Sequence, residues 1–202
     1  MAPKVSAEYM RERRGEILDA ATKVFSQKGF HVATLDDIST EADVSKGSIY
    51  IHFESKEAMI DGLSQLWQTI DDEVFETAET MPRAIDGVAH VVKATIRRSQ
   101  RADFKDSIRL GMFVWAEVLI NPAVRKSQSK LGEEWARRFT ALVQSARDQG
   151  GIGPAYSTDS VISFLGSLGG GYFLSRGVWD ANPDLADAEK LVDSFIEGLS
   201  QG

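Results

Sequence analysis

Residues 45–57 read SKGSIYIHFESKE and gather Lys46, Ser48, Tyr50, His52 and Lys56 in one short span. The chemistry such a set offers is donation. A lysine ammonium donates to guanine O6 and N7 and a serine hydroxyl to several base edges, which casts Lys46 and Ser48 as base readers. Tyr50, His52 and, upstream, Thr34 can bond phosphate oxygens, which sets register without reading sequence. Gly47 lets the backbone come close to a base edge or a sugar. Lys56, in the first turn of the next element, adds a cation where helix amides already attract phosphate. On spacing alone, the KGSIY stretch reads equally as a solvated surface turn.

Apolar periodicity is helical along the whole chain, so the expected fold is all-α, with about nine helices. Ile17, Ala21, Val24 and Phe25 form the stripe of the first, which closes at Lys28 with Gly29 free to take a positive φ. A short element spans Leu35 to about Glu41, with Thr34 as N-cap and Asp37 in a capping-box position. A second runs from Lys46 to about His52 behind a Ser45 cap. Leu35, Ile38 and Ala42 give the first short helix its buried stripe. Asp43 supplies a residue tolerant of left-handed backbone, and Val44 an apolar plug. Ile49 and Phe53, four apart, pin the second short helix, which leaves Lys46, Gly47, Ser48 and Ile51 outward. Two short helices around such a turn match a helix-turn-helix, whose second helix enters the major groove. Longer helices follow at about 55–79, from Pro82 onward, 103–119, 122–149, 158–178 and 183–199.

The 202 residues carry 43% hydrophobic and 26% charged side chains, ordinary for a soluble globular protein, and no cysteine. Net charge is −7. Residues 1–56 hold 8 Lys+Arg against 9 Asp+Glu, so nucleic-acid binding must rest on local placement. The N-terminal stretch has charge but no apolar run behind it, and no segment is apolar enough to span a bilayer, so a cytoplasmic protein without membrane contact is expected. Three isolated histidines, His31, His52 and His90, give no metal spacing, and no cofactor is expected. Ser127 and Lys130 form an S-x-x-K without its companion motifs, and no nucleophile elbow or phosphate-binding loop is present. An enzyme is not expected. A helical scaffold or adaptor without DNA binding is the alternative from a different class.

The stretch TLDDISTEADVSKGSIYIHFESKEAM closely resembles the DNA-binding signature of the TetR family of bacterial transcriptional regulators. Thr34, Ile38, Val44, Ser45, Gly47, Tyr50, His52, Phe53, Lys56 and Glu57 fall in register with it, and ILDAATKVFSQKGF is similar to the family's first helix. The departure is Asp43, where the family usually has glycine. This implies either a slightly less stable turn or a weaker attraction for phosphate. The resemblance implies a helix-turn-helix DNA-binding domain at 1–54 and an effector-binding and dimerisation domain at 55–202. It further implies a homodimer that represses transcription from a near-palindromic operator and leaves when a small, largely apolar molecule binds.

Three further groups carry expectations. Arg11, Arg13 and Arg14, with Lys4 further out, either reach phosphates and a minor groove or pair locally with Glu8, Glu12 and Glu16. Trp67, Phe104, Phe113, Trp115 and Phe139 either fill the core or line an effector pocket. Glu117, inside the apolar run GMFVWAEVLI, faces solvent, pairs with Arg109 or Arg138, or lines that pocket. In the glycine-rich helix FLGSLGGGYFLSRGVW, Gly166, Gly170 and Phe173 are expected at a two-fold interface with Leu191 and Phe195 of the last helix. A kink or a cavity within one chain is the other reading of those glycines.

Overall fold

The computed structural model describes residues 6–102, 104–179 and 181–201, without the side chains of Ala123 and Ser127. Among the described residues there are nine α-helices and no strand: α1 Ala7–Lys28, α2 Leu35–Glu41, α3 Lys46–His52, α4 Lys56–Glu79, α5 Ala84–Arg98, α6 Phe104–Ile120, α7 Pro122–Asp148, α8 Thr158–Val178 and α9 Leu185–Leu199. Lys4 of the expected arm, and Asp103 at the expected start of α6, lie outside the described residues.

Local signals set most boundaries. Ser6, Thr34, Ser45 and Ser157 cap α1, α2, α3 and α8, each accepting from the backbone amide three residues on. Pro82 and Pro183 fall outside the helices they were expected to open. α5 begins at Ala84, after Arg83, and α9 begins at Leu185, where the Asp184 side chain accepts from Asp187 N at 2.9 Å. In both places the proline precedes the cap and stiffens the approach; Asp184 caps α9 itself, whereas Arg83 makes no cap bond and the first amide of α5, Ala84 N, donates to Gln149 Oε1 at 2.8 Å.

Contacts divide the chain into two compact units: Met1–Leu66 with Arg109–Gln128, and Trp67–Ile108 with Ser129–Gly202. The first packs α1, α2, α3 and the start of α4 around Ile17, Phe25, Ile38, Ile49, Phe53 and Met59, all fully buried. α4 approaches closely through Gly62, where a Cβ would stand 3.0 Å from the Phe53 ring and 3.2 Å from Leu18. In the second, α5 packs on α8 and α9. Its core holds Phe75, Val88, Val92, Phe139, Val143 and Leu165.

Candidate nucleic-acid interface

α2 and α3 are too short to persist alone, so their rigidity comes from caps and packing. Thr34 Oγ1 accepts from Asp37 N at 3.1 Å while Asp37 Oδ2 accepts from Thr34 N at 3.0 Å, a complete capping box. Asp37 also receives Lys28 Nζ at 2.7 Å. That lysine and the Thr34 amide together lower the Asp37 carboxyl to about 2. At the other end of α2, Asp43 takes φ 51°, the left-handed backbone the turn requires. Val44 N then donates back to Ser39 O at 3.0 Å, closing the helix with a Schellman bond.

α3 is held from beneath and at its far end. Ile49 and Phe53 are buried, and Phe53 carries the Arg14 guanidinium 4.1 Å above its ring. Arg14 Nη1 also donates to the His52 carbonyl at 2.8 Å, capping the last turn. The opposite face is open: Lys46, Gly47, Tyr50 and Ile51 are exposed, Ile51 at 70%, and Ser48 and His52 are half-buried. A Cβ on Gly47 would meet only Ser45 Oγ at 3.8 Å, so nothing inside this chain requires a glycine there. Burial, followed by the Arg14 and Arg13 charges, pushes the His52 imidazole below 6.5. At neutral pH it therefore offers a phosphate a neutral donor rather than a cation.

Two lysines of the motif differ sharply. Lys46 Nζ lies 2.8 Å from Asp36 Oδ1 on α2, at an exposed pair whose hydrogen bond raises the lysine pKa. Such a surface pair is weak and exchangeable. Lys56 is turned inward: its Nζ donates to the carbonyls of Phe30 at 2.6 Å, Ala33 at 2.8 Å and His31 at 3.3 Å. All three of its donors are occupied, so the expected phosphate role of Lys56 gives way to that of a clamp on the α1–α2 loop. Arg14 is likewise spent on α3. Arg13 pairs with Glu16 at 2.6 Å and with the Tyr9 hydroxyl, which matches the local-pairing reading for that residue, while Arg11 is exposed.

The residues expected to line an effector pocket are divided between the two units. Phe113, Trp115 and Glu117 belong to the first unit; Trp67, Phe104 and Phe139 belong to the second. Glu117 is 4% exposed, and His31 Nε2 lies 2.8 Å from its Oε1, a partner the sequence reading did not consider. Phe113 lies over Gly29, 3.5 Å from where a Cβ would stand, and Trp115 is half exposed. In the second unit Phe139 is buried and stacks on Trp135 with centroids 4.9 Å apart. Trp67 is half-buried. Phe104 alone of the six borders a described cavity, of about 310 Å³, beside Arg101, Lys105 and Arg176. Those cations went unnoticed because α8 and the α5–α6 turn are far apart in sequence, and no spacing links them.

Of the expected interface residues, Leu191 is 72% exposed on α9 and Phe195 stacks on the exposed Phe164 of α8, centroids 4.8 Å apart. Leu168 is also exposed, and Gly166 and Gly170 have open space where a side chain would stand. Phe173 is half-buried and packs on Phe104, centroids 5.2 Å apart, so part of its ring is engaged within the second unit. Close approach inside the chain falls to Gly169 and Gly177, whose Cβ positions lie 3.0 Å from Thr95 and 2.6 Å from Ile108.

Residues 17–63 match the family described as bacterial regulatory proteins, tetR family. Over 96% of its length the chain is 26% identical to YfiR of Bacillus subtilis (strain 168), an uncharacterized HTH-type transcriptional regulator, covering 93% of that protein. Over 38% of its length it is 37% identical to the HTH-type transcriptional repressor KstR2 of Mycobacterium tuberculosis (strain ATCC 25618 / H37Rv), 41% of which is covered. Among solved structures, the fatty acid degradation regulator FadR from Bacillus halodurans superposes with TM-score 0.76 at 19% identity, over 96% of this chain and 97% of that one, a likeness of fold.

Proposed function

We propose, from the premise that this chain is a helix-turn-helix transcriptional regulator of the TetR family, that it is a homodimeric repressor of a near-palindromic operator. Residues 1–54 read the DNA, and residues 55–202 bind a small effector and the second copy. The observation that carries the reading is α3 itself. Ile49 and Phe53 hold it to the core, and Arg14 closes its end. Lys46, Gly47, Ser48 and Ile51 form the base-reading side, with Tyr50, His52 and Thr34 on phosphates. Gly47, which no internal contact demands, suits the close approach of a base edge or sugar to this backbone.

The exposed Phe164, Leu168 and Leu191 support pairing of α8 and α9 with the same helices of a second copy. Two copies would set two α3 helices about one duplex turn, roughly 34–36 Å, or somewhat more apart. An acidic body repels nonspecific DNA, so contact is confined to the small donor-rich face. The protein acts in the cytoplasm, where its DNA lies. Among the described residues no single helix is long and apolar enough to cross a membrane.

A titration of the purified protein against duplexes from the flanks of its own gene tests the proposal. A specific shift that survives competitor DNA and weakens with salt is expected. Equal affinity for all duplexes, or none at low ionic strength, would leave a helical scaffold as the better description.

A further inference from the structure

We propose that Asp36 is a positioning residue for base reading: its carboxylate holds the Lys46 ammonium in one place on the exposed face of α3 and, by its own charge, turns random duplex away. This rests on the DNA-reading role of α3 and adds to it a specificity-determining residue from α2.

The acids of α2 divide by what they hold. Glu41 takes Lys23 at 3.3 Å and Asp37 takes Lys28 at 2.7 Å, both from α1, so these two fasten α2 to the helix before it. Asp37 also completes the capping box with Thr34. Asp36 is joined instead to α3: its Oδ1 lies 2.8 Å from Lys46 Nζ, in the first turn of that helix. Both partners stay in solvent, the Asp36 side chain at 67% exposure and that of Lys46 at 51%. Tyr50, one helical turn on from Lys46, is exposed beside them. The pair therefore bridges the starts of two helices at the surface and not beneath it.

Lys46 is the one lysine or arginine in the α3 sequence, and His52 is neutral at neutral pH. A lysine carries its charge on a flexible four-carbon stem, so an unheld ammonium meets any phosphate in reach as readily as a base. One hydrogen bond to Asp36 removes much of that freedom. It leaves the ammonium two further donors, enough for the O6 and N7 of a guanine. The pair is weak in water, but seating α3 in a groove drives water away and strengthens it. The carboxylate has a second effect. A phosphate that approaches this face outside the correct register meets a charge of its own sign. Were the pair only a brace between α2 and α3, its removal would alter stability slightly and base preference not at all.

Lys46→Ala, measured on the operator bound by the full chain, first identifies the base pair that Lys46 reads. Asp36→Ala is expected to lower preference at that same base pair about fivefold or more, while affinity for a random duplex rises about threefold or more at low salt. Asp36→Asn keeps an acceptor oxygen without the charge, so it should raise random-duplex affinity as well and lose less of the preference. With Lys46 already alanine, removal of Asp36 should leave base preference unmoved. Urea unfolding of the same variants checks that each one folds. Preference unmoved in both Asp36 variants, an equal loss of preference when Lys46 is absent, or random-duplex affinity that rises in neither variant would overturn the proposal. If operator is held and Lys46→Ala relaxes one base pair while Asp36→Ala does not, only the role of Asp36 is lost; if no duplex is held, the regulator reading itself falls.

Discussion

The exposed face of α3 and the exposed face of α8–α9 both leave apolar side chains in water, yet they differ in kind. Around Ile51 on α3 stand an ammonium, a phenol, an imidazole and a bare glycine backbone. On α8 and α9 stand the exposed Leu168 and Leu191, the Phe164–Phe195 stack, and Gly166 and Gly170 with open space where a side chain would stand. The first surface can satisfy a polyanion with donors at fixed positions. The second can gain only by excluding water against another apolar surface. The difference is why we propose nucleic acid for the first surface and a second copy of the chain for the other, and mutations can break or sharpen that division.

The largest effect is expected on the α8–α9 face. Leu191→Asp should leave the protomer folded, because the side chain is already 72% exposed, but should weaken the dimer on the order of 100-fold, about 3 kcal/mol. Light scattering across a dilution series would read it, and a dimer that persists unchanged would remove α9 from the interface. Next is Lys56→Met, which strips three carbonyls of a charged donor and should cost about 2–3 kcal/mol of folding stability in urea. DNA affinity per folded molecule should stay the same; a uniform loss of affinity with unchanged stability would restore the phosphate role. Lys46→Ala is expected to reverse that pattern. It should cost about 1–2 kcal/mol on the specific operator with relaxed preference at one base and little change in stability. Equal losses on specific and random duplexes would make Lys46 a phosphate contact.

Smaller effects sharpen the turn. Asp43→Gly should stabilise the fold by about 0.5–1 kcal/mol, since φ 51° suits glycine better. If affinity for all duplexes also rises, the carboxylate repels phosphate as well. The Asp37 carboxyl, lowered from 3.8 to about 2, contributes stability that is fully present above its unfolded value and lost as pH falls through the folded one. Acid unfolding between roughly pH 4 and 2 should therefore be less steep in Asp37→Asn, measured by circular dichroism. Identical profiles would mean the capping box adds nothing.

What could be read from the sequence was what the backbone decides locally. Gly29 at φ 78°, the Thr34–Asp37 box, the left-handed Asp43 and the Ser45 cap each involve residues within a few positions of one another. The inward–outward division of α3 follows from Ile49 and Phe53 lying four apart. Side chains that settle across long separations were not legible. The Lys56 stem reaches back to the α1–α2 loop, Glu117 finds His31, and Phe173 turns onto Phe104. The middle aromatics gave too little positional information, because a helix period says that a residue is buried and not against what. The same limit hid the Arg176 cavity, whose walls come from the α5–α6 turn and the end of α8.

The central claim, that α3 enters a major groove twice per dimer, is tested most directly by dimethyl sulfate protection on a bound operator. Guanine N7 atoms face the major groove. Two clusters of protected guanines, centred about one helical turn or somewhat more apart and symmetric about the operator midpoint, are predicted. A single cluster, or protection confined to adenine N3 in the minor groove, would contradict it.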